Sequence, residues 1–426
     1  MNIAIVTAGG AGMYCGSCMH DNTWAHGLLG LGLEVTLIPT YTPIRVDEAD
    51  ASLQRVFFGG LNVYLNSRSA LWRRLPRFVK QLVDHPAVIR WATKRAVSND
   101  ARELGDLTLS MLAGEHGPHR EAGEELVTYL VDVLKPDVVI FSNALLSGVL
   151  PQLRSRFPGA ILCTLQGDDV FLDSLPESHR QRVIELISEH AKRFDGFLTH
   201  SRFYREYICQ YLGLPVEKTH TLPLSIDLTG HVGEPHVHPD RPYTVGYFAR
   251  IAPEKGLHHL VEAFIRLRDE LPESQLRIGG YLPPQHTDYL NGLLAQLSDF
   301  GADCTYVGSP ATHEGKVQFL SSIDVLSVPT EFQEPKGLYV LEALANGVPV
   351  VQPEHGAFPE LLAATAGGLL VPPRDPVALA AALLEFSDGE RRLNYARRGW
   401  DAVREHHSAE AAAIRTLEVL KAIVTI

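Results

Sequence analysis

Short runs of β-branched and other apolar residues alternate with helix-period stretches from one end of the chain to the other. That alternation restricts the fold more than any other feature. Ile3–Thr7, Glu34–Pro39, Asp137–Phe141 and Ala160–Leu165 read as buried strands. A second series starts near Tyr243, with Thr244–Phe248, Gln275–Ile278, Asp303–Val307, Val325–Val328 and Val348–Gln352. Helical segments between such strands are the pattern of βαβ units on parallel sheets. The stretch Asp227–Arg241, carrying Gly230, Gly233, Pro235, Pro239 and three histidines, reads as a linker between the two series. A length of 426 residues suits two or three domains of the usual ~150 residues. The simplest architecture is α/β, with two doubly wound domains facing each other.

The composition narrows the class. Apolar residues at 45% and charged residues at 21% are ordinary globular values, which excludes a coiled coil, a collagen-like rod and a disordered chain. No apolar run approaches the ~20 residues that a membrane span needs. A net charge of −12 argues against nucleic-acid partners. Five cysteines form no disulfide framework. Met1–Val6 reads as a strand and lacks the cationic start of a signal peptide, so a cytoplasmic enzyme is expected. One stretch fits neither strand series. Arg68–Arg95 holds eight Arg and Lys residues against the single acid Asp84, with Trp72, Phe78 and Trp91 interleaved. It reads first as a solvated helical insertion and second as a surface for an anionic acceptor or anionic membrane.

The densest motif is Glu334-Pro335-Lys336-Gly337-Leu338-Tyr339-Val340-Leu341-Glu342, continuing through Ala345-Asn346-Gly347-Val348-Pro349. A strand ends just before it, and a helix is expected over Leu338–Asn346, closed by Gly347. Ligands bind at strand-to-helix turns of parallel sheets, beside backbone N–H groups and the positive helix end. Eight residues of helix rise ~12 Å, so two acids at that spacing could accept hydroxyls from two sugars of one ligand. The plainer reading makes Glu342 a first-turn acid and Glu334 a solvated loop residue. A second motif, Gly246-Tyr247-Phe248-Ala249-Arg250-Ile251-Ala252-Pro253-Glu254-Lys255-Gly256, aims two cations past a strand end. Fixed cations suit a departing phosphate, and losing one such donor would cost on the order of 3 kcal/mol.

These two segments, with Gly356-Ala357-Phe358-Pro359-Glu360 beyond them, closely resemble the retaining glycosyltransferases of family 4. The resemblance is specific over about Thr244–Pro372, looser before it, and absent over Arg68–Arg95. It implies the GT-B fold: two Rossmann-like domains facing across a cleft, with a C-terminal helix returning to the first. The corresponding boundaries are 1–235 for an acceptor-side domain with a helical basic insertion at about 65–125, 236–405 for a donor domain, and 406–426 for the returning helix. The resemblance also implies roles. Glu334 would hold the donor sugar and Glu342 the ribose. Gly337 and Leu338 would offer backbone N–H groups to sugar and phosphate, and Arg250 and Lys255 would neutralise the diphosphate. The catalytic set would be Arg250, Lys255 and Glu334, with no metal and no cofactor. Gly16, just before the first helix, is the match to the family's glycine-rich loop, which borders the donor phosphate and the acceptor, so it joins the donor-binding residues.

The N-terminal half departs from the family pattern. Gln166 and Asn143 stand where histidines are common, and they are the acceptor-side candidates. Gln166 can donate a hydrogen bond but cannot titrate. Asp168 and Asp169 read as helix caps rather than metal ligands. Cys15-Gly16-Ser17-Cys18 could be a redox pair or half a zinc site, but the remaining cysteines are scattered, and packing in the acceptor region is the preferred reading. Ala409–Ile426 carries the stripe Ile414, Leu417, Leu420 and Ile423 at helical spacing, as a packing helix should.

The expected function is transfer of a hexose from a nucleotide diphosphate sugar, UDP-linked first and GDP-mannose next, to a sugar, lipid or small-molecule acceptor with retention. Three alternatives stay open: a nucleotide-sugar epimerase or hydrolase on the same fold, a non-catalytic sugar-nucleotide binding protein, and an NAD-dependent oxidoreductase. The last is disfavoured because Cys15 occupies the third glycine position of the fingerprint and no acid ends the second strand.

Overall fold

The computed structural model describes residues 1–9, 15–58, 101–231, 234–237 and 240–424. The basic stretch Arg68–Arg95 lies outside these, as do Gly10 and Gly12, the first two glycines of the imperfect dinucleotide fingerprint that Cys15 interrupts. The chain forms two compact units, Met1–Leu222 with Ala412–Ile426, and Pro223–Ala411.

Both units are built on six strands in parallel register. The first sheet comprises β1 (Asn2–Thr7), β2 (Glu34–Pro39), β3 (Val138–Phe141), β4 (Ala160–Thr164), β5 (Gly196–Thr199) and β6 (Thr219–Thr221), in the order β2-β1-β3-β4-β5-β6. The second comprises β7 (Thr244–Phe248), β8 (Gln275–Gly279), β9 (Cys304–Tyr306), β10 (Val325–Leu326), β11 (Val350–Pro353) and β12 (Gly368–Val371), in the order β12-β11-β10-β7-β8-β9. The nine strands read from the sequence are all present, within a few residues at their ends. β5, β6 and β12 were not among them, because runs of three or four residues set beside glycine or threonine show no period.

Side-chain alternation explains why the first sheet is covered on both faces. Ile3 and Ile5 of β1 join Val138 and Ile140 of β3 in one core, with Trp24 and Leu28. Ala4 and Val6 join Val139 and Phe141 in another, with Leu126, Leu150 and Tyr204. Central strands apolar at every position are what such burial demands. The second unit packs around a single cluster that includes Val245, Tyr247, Phe264, Leu326, Leu341 and Phe358.

Each sheet also reverses its winding once, at β1/β3 and at β7/β10. Loops leaving the two strands at such a point diverge to opposite faces and leave a crevice at their carboxyl ends, where open α/β sheets bind ligands. In the second unit those loops are Ala249–Gly256 and Ser327–Gly337, the segments singled out from the sequence.

The last helix, Ala409–Val424, brings Ala412 onward into the first unit. Trp24 Nε1 donates to Thr416 Oγ1 at 2.8 Å, and Ala413 and Leu420 complete the core around β1 and β3. The buried face consists of Ala412, Ala413, Thr416 and Leu420. Ile414 is not part of it: at 45% exposure it lies on the outer side, because close approach of the helix to Trp24 selects small residues for the inner stripe. No described helix is long and apolar enough to cross a membrane. Leu420→Ala should lower unfolding free energy by about 3 kcal/mol, whereas Ile414→Ala should change it by less than ~0.5 kcal/mol. Denaturant unfolding of both variants checks the assignment.

Candidate functional site

The crevice of the second unit begins with backbone conformations that only glycine adopts freely. Gly256, after Lys255, has φ +71°, and a Cβ there would sit 1.8 Å from the Pro329 carbonyl oxygen. The loop after β7 therefore lies directly against the loop after β10. Gly337 has φ +86° and starts the helix Leu338–Ala345 with no side-chain cap, leaving its first N–H groups to the crevice. Gly356 approaches so closely that a Cβ would fall 2.6 Å from the Glu334 nitrogen. Ala357 N–H then donates to the Glu334 carbonyl at 2.8 Å, fixing the loop from its other side.

Inside this frame Glu334 is 6% exposed, so the solvated-loop reading fails. Its Oε2 accepts from Lys255 Nζ at 2.7 Å and from the Tyr339 hydroxyl at 3.2 Å. The Lys255 ammonium also lies 4.7 Å from the Phe332 ring centre. Burial alone would raise the Glu334 carboxyl, but Lys255, Lys336 and the Tyr339 hydroxyl hold it below the ordinary glutamate value. It is a carboxylate at neutral pH, with one oxygen held by Lys255 and Tyr339.

Glu342 is buried too, in the second helical turn rather than the first. Its Oε1 accepts from Lys316 Nζ at 2.8 Å, and Lys316 is only 4% exposed. One turn along, Asn346 Nδ2 donates to the Glu342 carbonyl at 2.8 Å and to His231 Nδ1 at 2.7 Å. Burial pushes His231 down to about 4, against the pull of Glu342 and the Asn346 hydrogen bond, so the ring is neutral at pH 7 and can accept from Asn346. The Asp227–Arg241 segment is thus more than a connection, since His231 braces the acid-bearing helix.

The structure brings together Lys255, Glu334, Gly337 and Leu338 in one crevice, with Glu342 on the helix that leaves it. Arg250 differs. Its guanidinium pairs with Glu254 Oε1 at 2.6 Å, and the side chain is 41% exposed. An exposed pair of this kind contributes little to stability and can exchange partners at small cost. Sequence reasoning missed Lys316, Tyr339 and His231. Tyr339 lies within the motif itself, but Lys316 and His231 have no local signal because chain folding alone brings them near.

In the first unit, Gly16 opens the helix Gly16–Gly30 and is exposed. Asn143 follows β3 at the winding reversal, and its buried Oδ1 finds no hydrogen-bond partner among the described residues. Gln166, 6% exposed, donates from Nε2 to Asp21 Oδ1 at 2.9 Å and to the Ser142 carbonyl at 3.2 Å. Asp21 Oδ2 in turn accepts from Thr7 at 2.7 Å. Gln166 therefore donates inward and ties the ends of β1, β3 and β4 together.

Asp168 is not a helix cap. Gly167 holds that place, and Asp168 accepts from the Ala144 and Gln166 N–H groups at 2.7 and 3.1 Å. Cys18 is buried, and its hydrogen bond with Cys15, then burial, raise its thiol well above the ordinary range. That is opposite to the lowered value of a reactive CxxC thiol.

Comparison with known proteins bears on the second unit most directly. Residues 233–400 match the family model described as Glycosyl transferases group 1. A D-inositol 3-phosphate glycosyltransferase from Corynebacterium efficiens is 31% identical over 176 residues, 40% of each chain. An MMP alpha-(1->4)-mannosyltransferase from Mycolicibacterium hassiacum is 28% identical over 211 residues, 49% of each. The chain spans less than half the length of each of these two relatives. Among solved structures, Anabaena Alr3699/HepE in complex with UDP superposes with TM-score 0.67 at 16% identity, covering 99% of this chain and all of that one. A sucrose-phosphate synthase from Thermosynechococcus elongatus gives TM-score 0.70 at 19% identity, covering all of both. The likeness establishes the GT-B fold.

Two predictions follow from the buried charges. Lys316→Met leaves Glu342 buried without its cation and should destabilise by about 3–5 kcal/mol, while Lys316→Met with Glu342→Leu recovers most of the loss. Chemical denaturation of the single and double variants reads this directly. Burial pushes Asp168 up to about 6, despite two N–H donors that lower it. The folded chain therefore holds this proton more tightly than the unfolded chain. The stabilisation is complete below about pH 4 and is lost as pH rises through 6, a change of about 3 kcal/mol. The stability difference between wild type and Asp168→Asn should shift by that amount over this window.

Proposed function

We propose that the chain is a glycosyltransferase that moves a hexose from a nucleotide diphosphate sugar to an acceptor hydroxyl with retention of configuration. The observation that carries this reading is the buried Lys255–Glu334–Tyr339 constellation at the uncapped start of Leu338–Ala345, at the winding reversal of a sheet matched by the glycosyltransferase family model. UDP and UDP-glucose, bound in solved structures of similar fold, support a UDP-linked donor, with GDP-mannose the next choice.

In this reading, the diphosphate lies against the free N–H groups of Gly337 and Leu338. Lys255 donates to a phosphate oxygen with a proton not engaged by Glu334, and Arg250 leaves Glu254 to do the same. Both cations then oppose the charge that grows on the departing phosphate. Glu334, ionised and fixed, accepts from hydroxyls of the donor sugar, and Glu342 accepts from the ribose. The bond from the anomeric carbon to the phosphate oxygen breaks while the acceptor oxygen bonds to that carbon on the same face. The acceptor proton passes to the departing phosphate. No protein nucleophile and no metal takes part in this scheme. Gly16 is proposed to border the donor phosphate, and Asn143 and Gln166 are proposed on the acceptor side, with Asn143 making direct contact and Gln166 positioning Asp21. The work would take place in the cytoplasm, with the basic stretch 68–95 the proposed contact to an anionic surface.

Calorimetric titration of UDP, GDP, ADP and NAD into the wild type and Glu342→Ala tests the donor site. One nucleoside diphosphate should bind, and the variant should lose about ten-fold or more of that affinity. Glu334→Gln should retain nucleotide binding while turnover of the matching sugar nucleotide falls by about a hundred-fold or more. Binding of NAD alone would overturn the assignment, and donor turnover independent of any acceptor would make the protein a hydrolase.

A further inference from the structure

Beside the Lys255 turn, three side chains converge that the proposed chemistry does not use. His258 and His259 follow Gly256 in the first turn of the helix Leu257–Glu270. Both turn Nε2 toward Oε1 of Glu331, at 3.1 and 3.2 Å, and their ring centres lie 4.0 Å apart. All three ligand atoms fall within 4.8 Å of one another. The His258, His259 and Glu331 side chains are 33%, 15% and 33% exposed, so an ion could reach them from solvent.

We propose that His258, His259 and Glu331 form a binding site for a borderline divalent transition ion, Zn2+ above all, that staples the loop after β7 to the loop after β10. The donor set of two imidazoles and one carboxylate favours Zn2+ or Co2+ over Mg2+ or Ca2+, which take oxygen ligands. The dimensions agree. Bonds of about 2.0–2.1 Å in a tetrahedron put neighbouring ligand atoms about 3.3 Å apart, close to the two nitrogen–oxygen distances present. An entering ion would displace the protons now shared along those contacts.

The surroundings orient the ligands. The Tyr289 hydroxyl lies 2.9 Å from His258 Nδ1 and accepts from the His258 backbone N–H at 3.2 Å. Holding one ring nitrogen in this way fixes the other for a metal. Arg374 lies 3.8 Å from the second carboxylate oxygen, leaving Oε1 to the ion, and its side chain is 63% exposed, so its repulsion is screened. Three protein ligands leave a fourth position for water. The consequence is mechanical: His258 lies three residues after Lys255, and Glu331 three before Glu334. An ion here would hold both loops of the crevice at a fixed separation without entering the chemistry.

The test uses the full, untagged chain, stripped with chelator and titrated with Zn2+ by calorimetry and with Co2+ by visible absorption. One equivalent should bind at low micromolar concentration, with the intense Co2+ bands of a tetrahedral site, and saturating Zn2+ should raise the thermal midpoint by a few degrees. His259→Ala and Glu331→Gln should each weaken binding at least ten-fold and abolish the thermal shift. Tyr289→Phe, which keeps every ligand, should weaken it about ten-fold. Absence of binding to the wild type, or unchanged affinity in both His259→Ala and Glu331→Gln with native circular dichroism, overturns the site. Neither nucleotide nor turnover enters the readout, so this result is independent of the proposed transferase activity.

Discussion

The organisation of the second unit depends on the contact between the loops that leave β7 and β10. The sheet reverses its winding between these strands, so their connections diverge, yet the two loops meet because residue 256 has no side chain. Close approach of backbone to backbone brings Lys255 within reach of Glu334. Everything proposed for the crevice rests on that pairing. A β-carbon at 256 would separate the cation from the carboxylate and with it the groups that would face phosphate and sugar.

The two buried ion pairs in this region serve position more than stability. Taking Lys255 with Glu334 and Lys316 with Glu342 out of water carries a desolvation penalty that their attraction roughly offsets. What each pairing provides is a carboxylate fixed in one rotamer by its lysine. In a chain of net charge −12, carboxylates offered to a phosphate-bearing ligand need local cations beside them. The lysines meet that need and lie under the acids, leaving the remaining carboxylate oxygens to accept hydroxyl groups.

Much of this could be read from the chain. Strands such as Thr244–Phe248, apolar on both faces, announce a parallel sheet, and the Glu334–Glu342 spacing sets both acids on one loop and helix. What stayed hidden depends on long-range packing. β5, β6 and β12 are too short for a period to develop. Lys316 and His231 reach Glu342 and Asn346 only through the fold, so no local pattern marks them. Of the stripe Ile414, Leu417, Leu420 and Ile423, Leu420 and Ile423 do pack on the core and only Ile414 is exposed, because helical spacing shows which residues share a face while the partner surface decides which face is buried. Near Trp24 that surface admits alanine and threonine.

The exposed Arg250 and the buried Lys255 complete the argument about how such a crevice could take a doubly charged ligand and still release it. Lys255 is held by Glu334 and by the faces of Phe332 and Tyr339, so it is in place before any ligand arrives. Among the described residues, the Arg250 side chain is held only by Glu254, in a solvent-screened pair within one turn. A preorganised cation supplies electrostatic stabilisation without reorganisation, and a loosely paired one supplies a contact that forms and breaks with the ligand. Two rigid cations would bind a nucleoside diphosphate product as firmly as the donor, and two mobile ones would leave the phosphate unoriented. The division between them fits the proposed transferase, in which a departing phosphate must be oriented and then released.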